Sequence, residues 1–375
     1  MKISDIADII NVTEKDPSNS GIDVFVGLEH YDIAEPVIKR FGSTKMLSTA
    51  AKKFEAGDVL IARRNVYLQR ASVAHFAGLT SGDTIVLRVK KNLKIEGTDY
   101  ETMCELLPFI LNSINFWDYA NTNADGTMSK RLSPAILLEY AFDLPPLQDQ
   151  KVLAEKLWAA YEVKQSYIKM IDITQEMVKA QFVEMFGDPI TNPKGIPMKR
   201  IKDVCKIVGG SQPPRSHFIF EYKEGYVRFI QIRDYKSDDH ITYIPESSTK
   251  KFCDEDDIMI GRYGPPIFQI LSGIKGAYNV ALMKAIPIKI NKEFLRFYLK
   301  RDELRHYLER FQSRSAGQAG IDMDELYNYP CPYPSAKEQE NWVDILNRAD
   351  KSISELRKSI DAIDKVIKSL INENL

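Results

Sequence analysis

The sequence predicts an α+β chain built as a tandem internal repeat: two similar strand-rich domains separated by two long antiparallel coiled-coil helices. Three observations carry this expectation. Short motifs recur in the same order in both halves, β-branched runs fill the first part of each repeat, and an apolar heptad seam closes each one.

The repeat comes first. Asp58-Val59-Leu60-Ile61-Ala62-Arg63-Arg64 is answered by Asp257-Ile258-Met259-Ile260-Gly261-Arg262-Tyr263. Val26-Gly27-Leu28-Glu29-His30-Tyr31 is answered more loosely by Ile230-Gln231-Ile232-Arg233-Asp234-Tyr235. Leu144-Pro145-Pro146-Leu147-Gln148-Asp149-Gln150 lines up with Tyr333-Pro334-Ser335-Ala336-Lys337-Glu338-Gln339. The offset between partners drifts in one direction, from about 204 to about 189 residues, as insertions and deletions in a duplicated chain produce.

Within each repeat the first part is strand-rich. Asp58–Ala62, Thr84–Val89, Tyr226–Ile232, Asp257–Ile260 and Asn279–Ile286 are short apolar or alternating runs separated by Gly, Pro, Asn and Asp, with a helix expected over Glu293–Phe311. The second part is one long helix. After Pro334 the positions Leu346, Ala349, Ile353, Leu356, Ile360, Ile363, Ile367 and Leu370 step by three and four without a break, which is a heptad seam. After Pro146 the seam is Leu157, Ala160, Tyr167, Ile171, Val178, Phe182 and Met185, interrupted by Lys164 and Thr174. Proline suits the start of both helices, and Gly187-Asp188-Pro189 stops the first. Helices of this length, about 57 Å each, outrun the domains that carry them and are expected to pack on each other. The division is 1–146, first domain; 147–188, first spacer helix; 189–334, second domain; 335–375, second spacer helix.

Composition bounds the function. At 375 residues, with 44% hydrophobic and 10% aromatic residues, two packed cores are within reach. No apolar run approaches the roughly 20 residues of a membrane span. Met1-Lys2-Ile3-Ser4-Asp5 does not open a signal-peptide core, which predicts a cytoplasmic protein. Cys104, Cys205, Cys253 and Cys331 are far apart and read as buried thiols rather than zinc ligands. The whole chain has net charge −1, but residues 1–146 come to about −3 and residues 189–334 to about +5.

The signatures of catalysis are missing. There is no GxxxxGK[ST] phosphate loop and no glycine-rich strand-to-helix turn for a dinucleotide or S-adenosylmethionine. Gly264-Pro265-Pro266-Ile267 lacks both ends of the Asn/Asp-Pro-Pro-Tyr/Phe tetrad of amino-methyltransferases. Asp203 with Glu221-Tyr222-Lys223 fits only a loose metal-nuclease pattern, and His30, His75, His217, His240 and His306 are scattered. No metal site is expected, nor any catalytic residue.

Two similar domains at a fixed separation suit the reading of a two-part DNA target, one half-site each. Here the chain resembles the specificity subunits of type I restriction-modification systems, a bacterial defence. The residues carrying the resemblance are Gly57-Asp58-Val59-Leu60-Ile61 with Arg63, Asp257-Ile258-Met259-Ile260-Gly261-Arg262-Tyr263-Gly264, and Ala277-Tyr278-Asn279-Val280-Ala281-Leu282. Leu144-Pro145-Pro146-Leu147 ahead of Gln150, Gln181-Phe182 and Met185-Phe186-Gly187-Asp188-Pro189 add to it. Two departures stand out: little helix precedes the first domain, and Asp257 lacks the glycine that precedes Asp58.

The resemblance implies two target-recognition domains and two helices that bind two modification (methyltransferase) subunits. It also implies double-stranded DNA as ligand and restriction (translocase and nuclease) subunits as further partners. This chain would then be non-catalytic, with S-adenosylmethionine, ATP and magnesium confined to its partners. The subunit-contacting helices would present Leu157, Ile171, Val178, Leu346, Ile353, Leu356, Ile360, Ile363 and Ile367.

Arginine or lysine reads guanine, asparagine or glutamine reads adenine, and hydroxyls mostly hold phosphates. The candidates in the first domain are Arg63, Arg64, Arg70, Lys130 and Arg131. In the second they are Ser211, Gln212, Arg215, Gln231, Arg233, Arg262, Tyr263, Ser313, Arg314 and Gln318. Three alternatives stay open at this point: a coiled-coil adaptor, a metal nuclease built on Asp203, Glu221 and Lys223, and a specificity chain of a methylation-only or type II-like system.

Overall fold

Val59–Ala62 and Ile258–Gly261 are buried at every position. A strand covered on both faces reads as an unbroken apolar run rather than an alternation, and these two strands are the centres of two sheets. The computed structural model that shows this describes residues 1–93, 95–127, 129–311, 313–315 and 318–375, the side chains of 313–315 and 318–319 excepted. The chain divides into two units, residues 1–170 with 355–375, and residues 171–354.

In the first unit an antiparallel sheet has the order Ala7–Ile10, Thr84–Val89, Val59–Ala62, Ala71–Val73. Val59 and Ile61 face a core shared with the helices Tyr100–Ile110 and Ile114–Asn123. Leu60 and Ala62 face a second core with Val26, Ile38 and Phe54. A second sheet has the order Thr13–Glu14, Ala51–Phe54, Gly78–Thr80, Val24–Val26, Gly42–Ser43, in which Val24–Val26 runs parallel to Gly78–Thr80.

The second unit repeats this plan. Its first sheet has the order Cys205–Gly209, Leu282–Pro287, Ile258–Gly261, Gln269–Leu271. Its second sheet has Tyr243–Pro245, Tyr226–Ile230, Gly276–Tyr278, Phe252–Cys253, again with one parallel pair, Tyr226–Ile230 beside Gly276–Tyr278. The tandem repeat expected from the motifs is present, with the strand Thr13–Glu14 of the first unit lacking a counterpart in the second.

The recurring aspartate has a structural job in both units. Asp58 Oδ2 accepts the Glu55 N–H at 2.7 Å, and Asp257 Oδ2 accepts that of Asp254 at 2.8 Å, closing the turn that feeds the central strand. Asp58 is 1% exposed and is neutralised by Arg88, whose Nε and a terminal nitrogen reach it at 2.6 and 2.8 Å. Lys284 does the same for Asp257 at 2.5 Å. A buried carboxylate is tolerated only when paired in this way. The carboxylate closes the turn in both units, although Asp256 stands where the first unit has Gly57 with φ +93°.

The two long helices run from Leu147 to Phe186 and from Ala336 to Asn374. In the first unit Leu153, Ala154 and Leu157 share a core with Ile371 and Leu375, and Lys164 Nζ meets Asp364 Oδ1 at 2.6 Å. In the second, Val178, Phe182 and Phe186 share a core with Trp342 and Ala349. Higher numbers on one helix thus meet lower numbers on the other in each unit, the antiparallel pairing expected of the seams. Lys164, which breaks the first seam in sequence, is filled in by its ion pair.

The Phe182–Phe186 motif is an aromatic wedge. Phe182 lies 5.0 Å from Phe186, 5.1 Å from Phe297 and 5.2 Å from Trp342, ring centre to ring centre. Gly187, with φ +72°, then ends the helix in the left-handed conformation that glycine adopts without strain.

The expected helix over Glu293–Phe311 is corrected. It is two helices, Lys292–Leu299 and Asp302–Arg310, broken at Arg301, whose backbone is extended. The apolar phase set by Phe294, Leu295 and Tyr298 would next fall near Arg301 and Asp302. Leu304 and Leu308 are reburied only after the chain resets. Two strands are also shorter than expected: Tyr226–Ile230 gives way to a 3-10 turn at Ile232, and the run from Asn279 pairs only from Leu282.

Gln150 and Gln339, equivalent in the repeat, are 0% and 4% exposed. The Gln150 amide nitrogen donates to the Gly97 and Pro145 carbonyls, each at 2.7 Å, and its oxygen accepts from the Thr98 hydroxyl at 2.9 Å. Gln339 donates to the Pro334 carbonyl at 2.8 Å and accepts the Asn291 N–H at 2.7 Å. Replacing Gln150 by alanine strands these partners without a bond. We expect Gln150→Ala to lower the unfolding free energy by about 1–3 kcal/mol, read by urea denaturation. An unchanged midpoint and slope would show that the amide is dispensable.

Candidate nucleic-acid interface

In the first unit the sequence candidates converge at the end of the central strand. Arg63 N–H donates to the Asp83 carbonyl at 2.9 Å, and Leu132 N–H donates to the Arg63 carbonyl at 3.0 Å. Arg64 bridges to Arg131, and Asn65 N–H donates to the Lys130 carbonyl at 2.9 Å. The segment around Lys130–Arg131 is therefore laid along Arg63–Asn65 by backbone bonds. Arg70 closes the group, donating to the Leu28 and Arg64 carbonyls at 3.0 and 2.9 Å. Asn65 and Gln69 hold φ of 56° and 49° at the two ends of the intervening turn. That turn leaves Tyr67 63% exposed.

The side chains differ in how free they are. Arg63 Nε donates to the Leu132 carbonyl at 3.0 Å, and Lys130 Nζ is hydrogen-bonded to the Asn121 carbonyl. Arg131 reaches Asp83 at 2.8 Å, with Arg64 Nε 3.4 Å from the other oxygen of the same carboxylate. Beneath them Lys52 donates to the Thr84 carbonyl at 2.8 Å, and burial, reinforced by the charge of Arg63, pulls its ammonium below the ordinary lysine range. Burial likewise pushes the Tyr31 phenol up to about 12, so it stays a neutral partner of the Thr84 hydroxyl.

The second unit builds the same frame with other side chains. Arg262 N–H donates to the Ala281 carbonyl at 2.8 Å, and Ile321 N–H donates to the Arg262 carbonyl at 3.3 Å. Tyr263 bridges to Gly320 at the end of the hairpin Ser313–Ser315 and Gln318–Gly320. The Arg262 guanidinium stands 5.4 Å from the Tyr263 ring centre, and its buried Nε has no hydrogen-bond partner among the described residues. The side chains of Ser313, Arg314 and Gln318 lie outside the described residues.

The remaining candidates flank this strand end. Gly210 N–H donates to the Leu282 carbonyl at 3.0 Å, and Ser211 N–H to that of Tyr278 at 3.2 Å. A Cβ on Gly210 would sit 1.9 Å from the Asn279 carbonyl oxygen, so only glycine fits there. Ser211 Oγ pairs with Thr249 at 2.6 Å, while Gln212 and Arg215 are exposed. Gln231 N–H is capped by Asp234 at 2.8 Å, and Arg233 stands 3.8 Å from the same carboxyl, which burial pushes up.

Of the helix candidates, Leu157 and Val178 are buried in the cores of their units. Ile171, Leu346, Ile353, Leu356, Ile360, Ile363 and Ile367 are half-buried. Asp83 and the exposed aromatics Tyr67, Phe220 and Tyr222 were not singled out from sequence. Before folding, nothing separates an outward aromatic from a core one.

Among the described residues no three His, Cys, Asp or Glu side chains group as a metal would require. Asp203 accepts from Arg200 N and Nε at 3.3 and 3.0 Å, the cap that Asp5 provides to Lys2 in the first unit. Burial pushes the Cys205 thiol up to about 12 and Cys253 up to about 11, away from the thiolate that a ligand needs.

Comparison with known proteins bears on this geometry. Residues 193–365 match the type I restriction modification DNA specificity domain. Over that stretch, just under half of the chain, the sequence follows the pattern of this DNA specificity domain. A curated relative, the type I restriction enzyme MjaVIII specificity subunit of Methanocaldococcus jannaschii, is 23% identical over 205 residues. That alignment takes in 54% of this chain and 47% of the relative, so the chain spans about half the length of the curated relative it matches.

Two solved structures have the same fold over nearly all of both chains. One comes from a study of complex assembly and conformational transition of the type I R-M system, with TM-score 0.58 and 18% identity over 99% of this chain and 95% of the other. The second is the type I restriction-modification system S subunit from M. genitalium, with TM-score 0.54 and 14% identity over 99% and 94%. The α+β repeat and the family read from the motifs are thus borne out.

Among the described residues of 193–365, Arg262 is one of three arginines, with Arg228 and Arg301, that hold a buried nitrogen without a hydrogen-bond partner. Arg262→Ala is expected to weaken binding to a specific duplex by about 1–3 kcal/mol if the guanidinium reads a base, measured by fluorescence anisotropy. Equal weakening on random duplex would instead make it a phosphate contact.

Proposed function

We propose that this chain is the sequence-reading subunit of a type I restriction-modification complex and carries no chemistry of its own. Each target-recognition domain, 1–146 and 189–334, takes one half of a bipartite duplex target. The spacer helices, 147–188 and 335–375, set the interval and dock two modification subunits, which methylate adenine. Restriction subunits join the same complex.

The observation that carries this reading is a matching strand order in the four-stranded sheets around the central strand, with different side chains at the same strand end. Arg63-Arg64 beside Asp83 in one unit becomes Arg262-Tyr263 beside Ala281 in the other, on matching backbone bonds. A duplicated binding surface that keeps its frame and changes its contacts suits the reading of two different half-sites. Arginine edges are suited to guanine, and the glutamine and hydroxyl groups to adenine or phosphate.

The test is co-expression with a methyltransferase subunit of a type I system from the same genome, followed by genome-wide mapping of methylated adenine. The expected result is one two-part motif with a constant unread spacer. Random or absent methylation in a stable complex would reject the reading.

A further inference from the structure

Asp83 is a conspicuous acidic group within the basic cluster of the first unit. Its side chain is 26% exposed, against 52% for Arg64 and 44% for Arg131. One carboxylate oxygen accepts from Arg131 at 2.8 Å and the other stands 3.4 Å from Arg64 Nε, so a single carboxylate spans two guanidiniums. In the second unit the carbonyl that receives the equivalent N–H, from Arg262, belongs to Ala281. The duplicated frame therefore has this carboxylate on one side only.

The loop does not need the carboxylate to fold back. Asp125 and Arg131 exchange two backbone bonds, at 3.0 and 2.8 Å, and Leu132 N–H reaches the Arg63 carbonyl. What Asp83 adds is electrostatic and geometric. It holds Arg131 by a hydrogen bond and Arg64 by a looser ion pair, and both guanidinium side chains stay partly exposed. It also lowers the charge of the pair from two to one, which weakens attraction to any phosphate without removing the forked donors that recognise a guanine edge.

We propose that Asp83 is a specificity-determining positioning residue, holding Arg64 and Arg131 for guanine edges in the half-site read by the first unit. This rests on the reading that the unit binds bases. In the second unit Tyr263 stands where the first has Arg64, and its ring lies 5.4 Å from the Arg262 guanidinium.

The test uses the complex of the full chain with its methyltransferase subunits. The probes are duplexes carrying the mapped motif, single-pair substitutions in each half, and a random duplex. For Asp83→Asn, discrimination at a G·C pair of the first half-site should fall by about tenfold or more. Affinity for random duplex should rise, and the slope of log affinity against log salt should steepen by about one. The second half-site should discriminate as before. Unchanged discrimination in both halves overturns the proposal. If Asp83→Asn loses both halves or all binding, the cycle with Arg131→Ala decides. A double variant no worse than Arg131→Ala supports the proposal, and additive losses overturn it. If the unsubstituted complex shows no two-part motif, the base-reading premise has failed and the proposal falls with it.

Discussion

A buried glutamine amide at the start of each long helix fixes how the chain leaves one packed unit. An amide has two donors and an oxygen acceptor, and in a dry site every unmet one is costly. Gln150 spends its donors on Gly97 and Pro145 and its oxygen on Thr98. Gln339 ties Pro334 to Asn291. Each amide therefore joins the first turn of a long helix to the segment that opens a helix of the sheet-bearing core, since Asp99 and Asn291 cap Tyr100–Ile110 and Lys292–Leu299. A helix of 40 or 39 residues magnifies any error in its first turn, so a rigid start is the first requirement for whatever the helix positions.

The same logic separates what the duplication kept from what it changed. Kept are the bonds made by backbone and by buried groups: the Asp58 and Asp257 turns, their basic counterions, and the N–H of Arg63 or Arg262 on the carbonyl of the neighbouring strand. Changed are the side chains at the solvent end of that frame. Each half thus varies its electrostatics without disturbing its fold. In the first unit arginines are matched by a carboxylate or by backbone carbonyls. In the second, Arg262 rests against a ring and Arg215 is exposed.

Much of the scaffold was legible in the sequence because it is written in periodicity. The heptads, the two-sided apolar strands after Asp58 and Asp257, the Gly187 stop and the order of motifs all express one-dimensional rules. What was not legible depends on pairing across distance. The break at Arg301 shows only when the apolar phases of Phe294–Tyr298 and Leu304–Leu308 are set against one core. Asp83 sits in a turn, Ser81-Gly82-Asp83, that looks like any polar loop. Its closeness to Arg131 spans 48 positions. Which arginines are bound by carbonyls is likewise a property of the folded chain alone.

Lys164 shows how an apparent flaw in a pattern becomes information. A lysine at a seam position lowers the stability of a coiled coil but favours the alignment that neutralises it. In the first unit the partner is Asp364, and Lys164 is only 19% exposed. Sliding the helices by one heptad would set it against Arg357 in one direction and Ile371 in the other. The first places like charges together in a poorly solvated seam, and the second strands a charge on apolar surface. Leucine and isoleucine pack in several registers with similar energy, whereas this ion pair is satisfied in one. The ion pair therefore favours one alignment of the two helices in this unit, a choice that apolar packing alone does not make.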